Sequence, residues 1–139
     1  MAFHVDKFEL VELQVQSGAT ATRYFFPDLP KLRSKMVTAI ETYFNWQNGA
    51  LYAPSGNPIV GTGVASTSYI VFYTNGTQDL WRIPYLTANR TEDNTGVPFV
   101  RDLFCLRPQN ITWDKSYIEL SQVPTFATNQ SFMIGVYYS

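Results

Sequence analysis

The chain has 139 residues, a formal net charge of −1 and 15% charged residues, against roughly 25% in an average soluble domain. Hydrophobic residues reach 45% and aromatic residues 16%, so the composition is that of a folded chain with its own core. Ten basic residues against eleven acidic ones argue against a nucleic-acid-binding protein, which would carry a basic excess.

Side chains that perform catalysis or bind metals are scarce. The chain has one histidine, His4, and one cysteine, Cys105, which excludes a histidine-rich metal site and a four-cysteine zinc site. Most of the aspartates stand beside turns, where Asp is favoured by its own backbone hydrogen bonds. We therefore predict a protein that is not an enzyme and that needs no cofactor and no metal.

Targeting and membrane segments are not predicted either. The first ten residues lack the basic region and the long apolar core of a signal peptide. The longest purely apolar or aromatic stretch, residues 69–73, is far shorter than the roughly 20 residues of a membrane-spanning helix. We expect a chain made in the cytoplasm with no transmembrane segment.

Strand patterns open the chain. In residues 8–15, Val11, Leu13 and Val15 alternate with polar residues, which is the period of a half-buried strand. Residues 22–26 predict a short aromatic strand that stops at Pro27, and the two prolines of residues 27–30 require a loop.

Residues 35–46 predict the next strand, because β-branched and aromatic residues outweigh the helix-favouring ones. One face of this strand would carry Met36, Thr38, Ile40, Thr42 and Phe44. Residues 47–63 contain four glycines and two prolines, and predict a long connection with several turns and a short edge strand at residues 59–60.

A hairpin is the clearest local signal. Residues 68–74 and 77–83 predict strands on either side of Asn75-Gly76, the sequence of a type I′ turn, and Pro84 ends the return strand. Residues 87–98 predict a polar loop.

The last third continues in the same way. Residues 99–106 predict a strand ended by Pro108, and residues 111–113 and 116–120 flank a tight turn at Asp114-Lys115. A loop at residues 124–129 precedes a last strand at residues 131–138. Eight or nine strands with turns between them and no clear helix predict an all-β single domain over residues 1–139, a jelly-roll or Greek-key β-sandwich of about eight strands.

Two groups of side chains are candidates for contacts with other molecules. Residues 29–35 hold three of the ten basic residues, with Arg23 close by; this stretch could bind an acidic partner surface or packaged nucleic acid, or could be a solvated loop that guards the start of an exposed strand. The tryptophans 46, 81 and 113 and tyrosines 52, 73, 85 and 117 could stack on sugars, fill the core or form interface hot spots. The residues selected as subunit or partner contacts are Arg23, Lys31, Arg33, Lys35, Trp46 and Tyr52.

The shortage of charge favours a chain whose surfaces are covered by other subunits. Interface cores are depleted in charge and enriched in aromatic residues, and 15% charge is little for a monomer surface.

A series of strand-and-turn segments spread over most of the chain carries a resemblance to a known family. In order, the segments read LRSK at residues 32–35, PSG at 54–56, YIVF at 69–72, IPYL at 83–86, ITWDKSYI at 111–118 and VYY at 136–138. This order resembles small jelly-roll capsid proteins of tailless icosahedral bacteriophages, which occupy the five-fold vertices as penton proteins.

The resemblance implies a virion protein that forms a homo-pentamer, contacts the major capsid protein and supports a spike protein. It brings no catalytic residue with it. The alternative interpretation is a carbohydrate-binding β-sandwich or spike domain that uses exposed Trp and Tyr residues.

Overall fold

The computed structural model describes residues 7–45, 51–74, 80–88 and 104–139, and its strands form two four-stranded antiparallel sheets. A short helix α1, Thr62–Ala65, and two 3-10 turns, Tyr85–Ala88 and Trp113–Lys115, lie between strands. The strands are β1 (Lys7–Val15), β2 (Arg23–Phe25), β3 (Met36–Tyr43), β4 (Ser68–Tyr73), β5 (Leu80–Pro84), β6 (Phe104–Asn110), β7 (Tyr117–Leu120) and β8 (Gln130–Tyr138).

The strand order identifies the fold. The first sheet has the order β1-β8-β3-β6 and the second sheet the order β2-β7-β4-β5. Hence β1 pairs with β8, β2 with β7, β3 with β6 and β4 with β5. This is the pairing of one long antiparallel ribbon rolled into two sheets, the jelly roll, and the predicted fold class is confirmed.

The core lies between the two sheets and follows from the alternation of each strand. The apolar residues of one phase point inward and are buried, as Val11, Leu13 and Val15 do in β1 and as Ile70 and Phe72 do in β4. Phe132, Ile134 and Val136 of β8 meet them from the centre of the first sheet and are 0% exposed. The alternation of apolar residues in the first and last strands is therefore the alternation that builds the core.

The face predicted for β3 is wrong in its first half. Val37 is buried in the core and Met36 is exposed, whereas Ile40 and Phe44 point inward as predicted. The register of β3 with both neighbours shifts between Val37 and Ala39. A bulge of this kind inserts a residue and exchanges the two faces of the strand before it.

Two strand ends differ from their predictions. β6 continues through Pro108 to Asn110, which is tolerated because β6 is an edge strand and Pro108 lies where its register with β3 is broken. β4 and β5 form the predicted hairpin, but Tyr73 pairs with Leu80, whereas a two-residue turn at Asn75-Gly76 would pair it with Gln78. The turn itself and residues 89–98 of the loop predicted at residues 87–98 lie outside the described residues, whereas residues 87–88 belong to the 3-10 turn Tyr85–Ala88.

Candidate interaction surfaces

The outer face of the second sheet combines arginine side chains with tyrosine rings. Strand pairing places Glu119 of β7 between Arg23 of β2 and Tyr69 of β4. Glu119 forms ion pairs with Arg23 at 3.3 Å and with Arg82 of β5 at 3.0 Å. We call Arg23, Glu119, Arg82, Tyr69 and Tyr117 the tyrosine–arginine face.

Each arginine of this face also lies against a ring. The guanidinium of Arg23 is 5.0 Å from the ring centroid of Tyr117. The guanidinium of Arg82 is 4.2 Å from the ring centroid of Tyr69. Both distances permit cation–π attraction, so each arginine contacts both a carboxylate and a ring. Phe25 extends the face beside Tyr117, at 5.1 Å between ring centroids, and is 52% exposed.

Several aromatic residues considered for sugar stacking have other positions. Trp113 is 3% exposed and meets Phe26 and Phe72 edge-on in the core. Tyr85 is completely buried. The Tyr73 ring lies 5.4 Å from Nζ of Lys115, so it too has a cation against it. The open ring surface that sugar stacking needs is therefore smaller than the number of aromatic residues suggests.

The outer face of the first sheet is more apolar. Phe8 of β1 packs on Tyr137 of β8 at 4.9 Å between ring centroids, and it also covers Gly135. Glu41 of β3 lies on the same face, is 7% exposed and accepts hydrogen bonds from the hydroxyls of Tyr43 and Tyr137. This arrangement holds a carboxylate under aromatic rings in the middle of the sheet.

One end of that outer face is covered by the connection between β3 and α1. The N–H and hydroxyl of Ser55 both donate to the Glu12 carboxylate, which also accepts a bond from the Ser131 hydroxyl at 2.7 Å. Phe8 and Leu10, at the other end of β1, are left 42% and 46% exposed.

Two grooves open at the surface. The first, of about 330 Å³, is lined by the ion pair of Arg33 with Asp28 and by Asn110, Trp113 and Asp114. The second, of about 350 Å³, is mainly apolar and runs between β1 and residues 29–32.

Three of the four predicted basic contact residues lie beside carboxylates. Arg23 pairs with Glu119, Arg33 pairs with Asp28, and Lys31 lies 3.8 Å from Glu9. Residues 31–35 therefore do not present three bare cations, and Arg23 belongs to the tyrosine–arginine face.

The remaining predicted contacts have diverse positions. Tyr52 is 63% exposed in the connection after β3, Lys35 is half-buried before β3, and Trp46 lies outside the described residues. As contacts, these residues stay predictions.

Sequence reasoning missed the exposed pair on β1. Phe8 and Leu10 fall in the same phase as Glu12 and Gln14, which is the polar phase of the strand. Apolar residues in a polar phase are a signal of a covered outer surface, and this signal is present in the sequence.

Within the described ranges, no three His, Cys, Asp or Glu side chains lie close enough to hold a metal ion. None of the helices in the described part of the chain is long and apolar enough to cross a membrane.

Comparisons with protein-family models, with curated proteins and with solved structures find no match.

Proposed function

We propose that this chain is a structural virion protein, a vertex subunit of an icosahedral tailless phage capsid that assembles as a homo-pentamer and contacts the major capsid protein. The observation that carries the proposal is the strand order β1-β8-β3-β6 and β2-β7-β4-β5. This is the jelly roll used by viral capsid and lectin domains, and the segment order described above resembles penton proteins.

The surface supports a role in assembly. One fold can host many functions, so the choice between them depends on the exposed residues. Large apolar side chains are exposed on the outer faces of both sheets, with Phe25 on the second and Phe8 and Leu10 on the first. A low overall charge accompanies them. Apolar residues exposed on two faces are typical of a subunit with several neighbours.

We assign the contact between neighbours in the ring to the tyrosine–arginine face together with Phe25. Tyrosine and arginine are the residue types most enriched at interface hot spots. The ion pairs of Glu119 keep both guanidinium groups in place before a partner arrives, so little side-chain freedom is lost on binding. Phe25 supplies an exposed apolar centre beside them.

Light scattering on the purified full chain tests the ring. We expect a mass of at least five times 15.8 kDa, because closed five-fold symmetry requires five chains and any further self-contact adds to them. Phe25→Lys should lower this mass, because a charge would be buried at the contact. Val123→Lys, which changes a residue 70% exposed in the loop before β8, is the matched control and should leave the mass unchanged.

A test with particles completes the experiment. Coexpressed with the major capsid protein of the same genome, the chain should sediment with assembled particles. A monomer at millimolar concentration that stays out of particles would contradict the proposal. A glycan array gives the alternative function its own test, since specific binding lost in Tyr52→Ala would favour a carbohydrate-binding module.

A further inference from the structure

The four edge strands of the jelly roll differ in how well they are protected. An open edge carries unpaired N–H and C=O groups that can pair with another chain, and short strands, prolines and bulges prevent this. β2 is three residues long, β5 is five residues long and ends in Pro84, and β6 contains Pro108 and a register shift.

The edge strand β1 has none of these three features, and its remaining protection is its charged residues Lys7, Glu9 and Glu12. It is nine residues long, contains no proline, and pairs with β8 in an unbroken register from Lys7 opposite Tyr138 to Val15 opposite Gln130. A regular edge of this length is a template for a further strand.

The hydrogen bonds of β8 identify which groups of β1 face outward. Ser131 and Met133 use their N–H and C=O groups on the side away from β1, towards residues 58–60 and Tyr85. The direction of the backbone N–H and C=O groups alternates along a strand, so these groups of Phe132, Ile134 and Val136 point towards β1. The N–H and C=O groups of their partners Leu13, Val11 and Glu9 therefore point towards β8.

The backbone N–H and C=O groups of the remaining residues of β1 point away from β8, to the open edge of the sheet. Phe8, Leu10, Glu12 and Gln14 each direct one N–H and one C=O to the open side, and no backbone hydrogen bond among the described residues reaches these groups. We call these four residues the β1 edge.

Exposed apolar side chains accompany these backbone groups. Phe8 is 42% and Leu10 46% exposed, both on the outer face of the first sheet. The apolar groove of about 350 Å³ runs beside them, between β1 and Leu29, Pro30 and Leu32. An added strand would thus find both hydrogen-bond partners and apolar surface.

We propose that Phe8 and Leu10 of the β1 edge pair with Leu10 and Phe8 of a second copy of this chain, so that two first sheets join into one continuous eight-stranded sheet. A second copy is the occupant that fits, because its edge offers the same donors and acceptors at the same spacing. In the antiparallel register that sets Phe8 opposite Leu10 of the second copy, two-fold symmetry repeats the contact. Four exposed apolar side chains then cover one another on the same outer face.

Charge does not oppose this register. It brings Glu9 opposite its own counterpart, and the Lys31 ammonium 3.8 Å from the Glu9 carboxylate offsets the repulsion. The contact closes after two copies, so it is separate from the proposed five-fold contact: it forms a dimer from single chains and joins one pentamer to another where pentamers form.

The experiment is light scattering on the full chain over a range of concentrations, with variants of Leu10. Leu10→Pro removes an N–H that faces outward and leaves the ladder to β8 intact, which is the position where an edge strand accepts proline. Leu10→Lys keeps the backbone and places two like charges at the contact. Val123→Lys is the control for adding a lysine at an exposed apolar position.

We expect both Leu10 variants to have a lower mass than the wild-type species at concentrations where the control keeps the full mass, and half of it where the β1 edge is the sole self-contact. Their unfolding midpoints in urea should remain close to the wild-type value at low protein concentration. Equal masses for the wild type and a folded Leu10→Lys would overturn the proposal, whether or not a pentamer forms. A lower mass in Val123→Lys would do the same.

Discussion

The hydroxyl of Tyr85 lies 2.9 Å from the carbonyl oxygen of Met133 and accepts the N–H of the same residue at 3.3 Å. It also lies 2.6 Å from the carbonyl oxygen of Tyr43, so it bridges β8 and β3 within the first sheet. Tyr85 itself follows Pro84 at the end of β5 in the second sheet, and its own carbonyl accepts the hydroxyl of Thr42 at 2.6 Å. One buried residue therefore connects the two sheets through polar contacts.

Tyr85→Phe should lower the free energy of unfolding by about 1–3 kcal/mol. The substitution keeps the ring and removes the hydroxyl, which leaves the buried backbone groups of Tyr43 and Met133 without this partner. Urea unfolding followed by fluorescence measures the change. A variant as stable as the wild type would mean that the backbone groups close up without the hydroxyl.

The same residue makes stability depend on alkaline pH. Burial raises the pKa of the Tyr85 hydroxyl above its usual value, since the charged form would lose its hydration. Above about pH 10 the unfolded chain releases this proton and the folded chain keeps it, so stability falls as the pH rises. We expect a slope of up to about 1.4 kcal/mol per pH unit from this group.

Tyr85→Phe is also the control for that slope. The loss of stability between pH 10 and 11 should be smaller in the variant than in the wild type, although the variant is less stable at neutral pH. Parallel curves for the two proteins would assign the alkaline slope to other groups.

A second tyrosine should respond in the opposite sense. The Tyr24 hydroxyl is buried and has no hydrogen-bond partner among the described residues, where its ring packs on Phe126 and Phe132. Tyr24→Phe removes a polar atom that pays a desolvation cost without compensation, so stability should stay the same or rise by up to about 1 kcal/mol. The same urea measurement applies, and a loss above 1 kcal/mol would reveal a partner for this hydroxyl.

The sequence predicted the elements that alternation and turn residues determine. The strand around Val11 has one apolar phase, and this phase lies in the core; the strands around Ile70 and Ile134 are strands as predicted. The bulge in β3 was not predictable, because it depends on the register of β3 with β6 and β8 and not on the residues of β3 alone. The same holds for Pro108, whose acceptance depends on β6 being an edge strand.

The candidate surfaces were harder to predict than the fold. Arg23 was selected for its proximity to a basic stretch, but its partner Glu119 is distant in sequence and reaches it through the pairing of β2 with β7. For Tyr85 the sequence left sugar stacking, the core and an interface open, and its complete burial depends on how the chain returns between the sheets. Long-range pairing determines both positions.

Gly135 should be the least tolerant glycine among those described. A Cβ at this position would lie 2.6 Å from Cε2 of Phe8 and 2.9 Å from Cγ of Glu41, closer than carbon atoms approach. Gly135→Ala should therefore cost about 1–3 kcal/mol of stability through overpacking. Gly63→Ala is the matched control, since nothing lies within 4 Å of a Cβ in α1, and it should be neutral or stabilising by about 0.5–1 kcal/mol.

A double-mutant cycle tests the cause of the Gly135 effect. Phe8 is partly exposed, so Phe8→Ala opens space over Gly135 at a modest cost. In the Phe8→Ala background, Gly135→Ala should lose less stability, with a coupling of at least about 0.5 kcal/mol between the two positions. The rescue should be partial, because the Cγ of Glu41 still lies 2.9 Å from the new methyl group. Additive effects would place the cost of the methyl group on Glu41 and the strand backbone and not on the Phe8 ring.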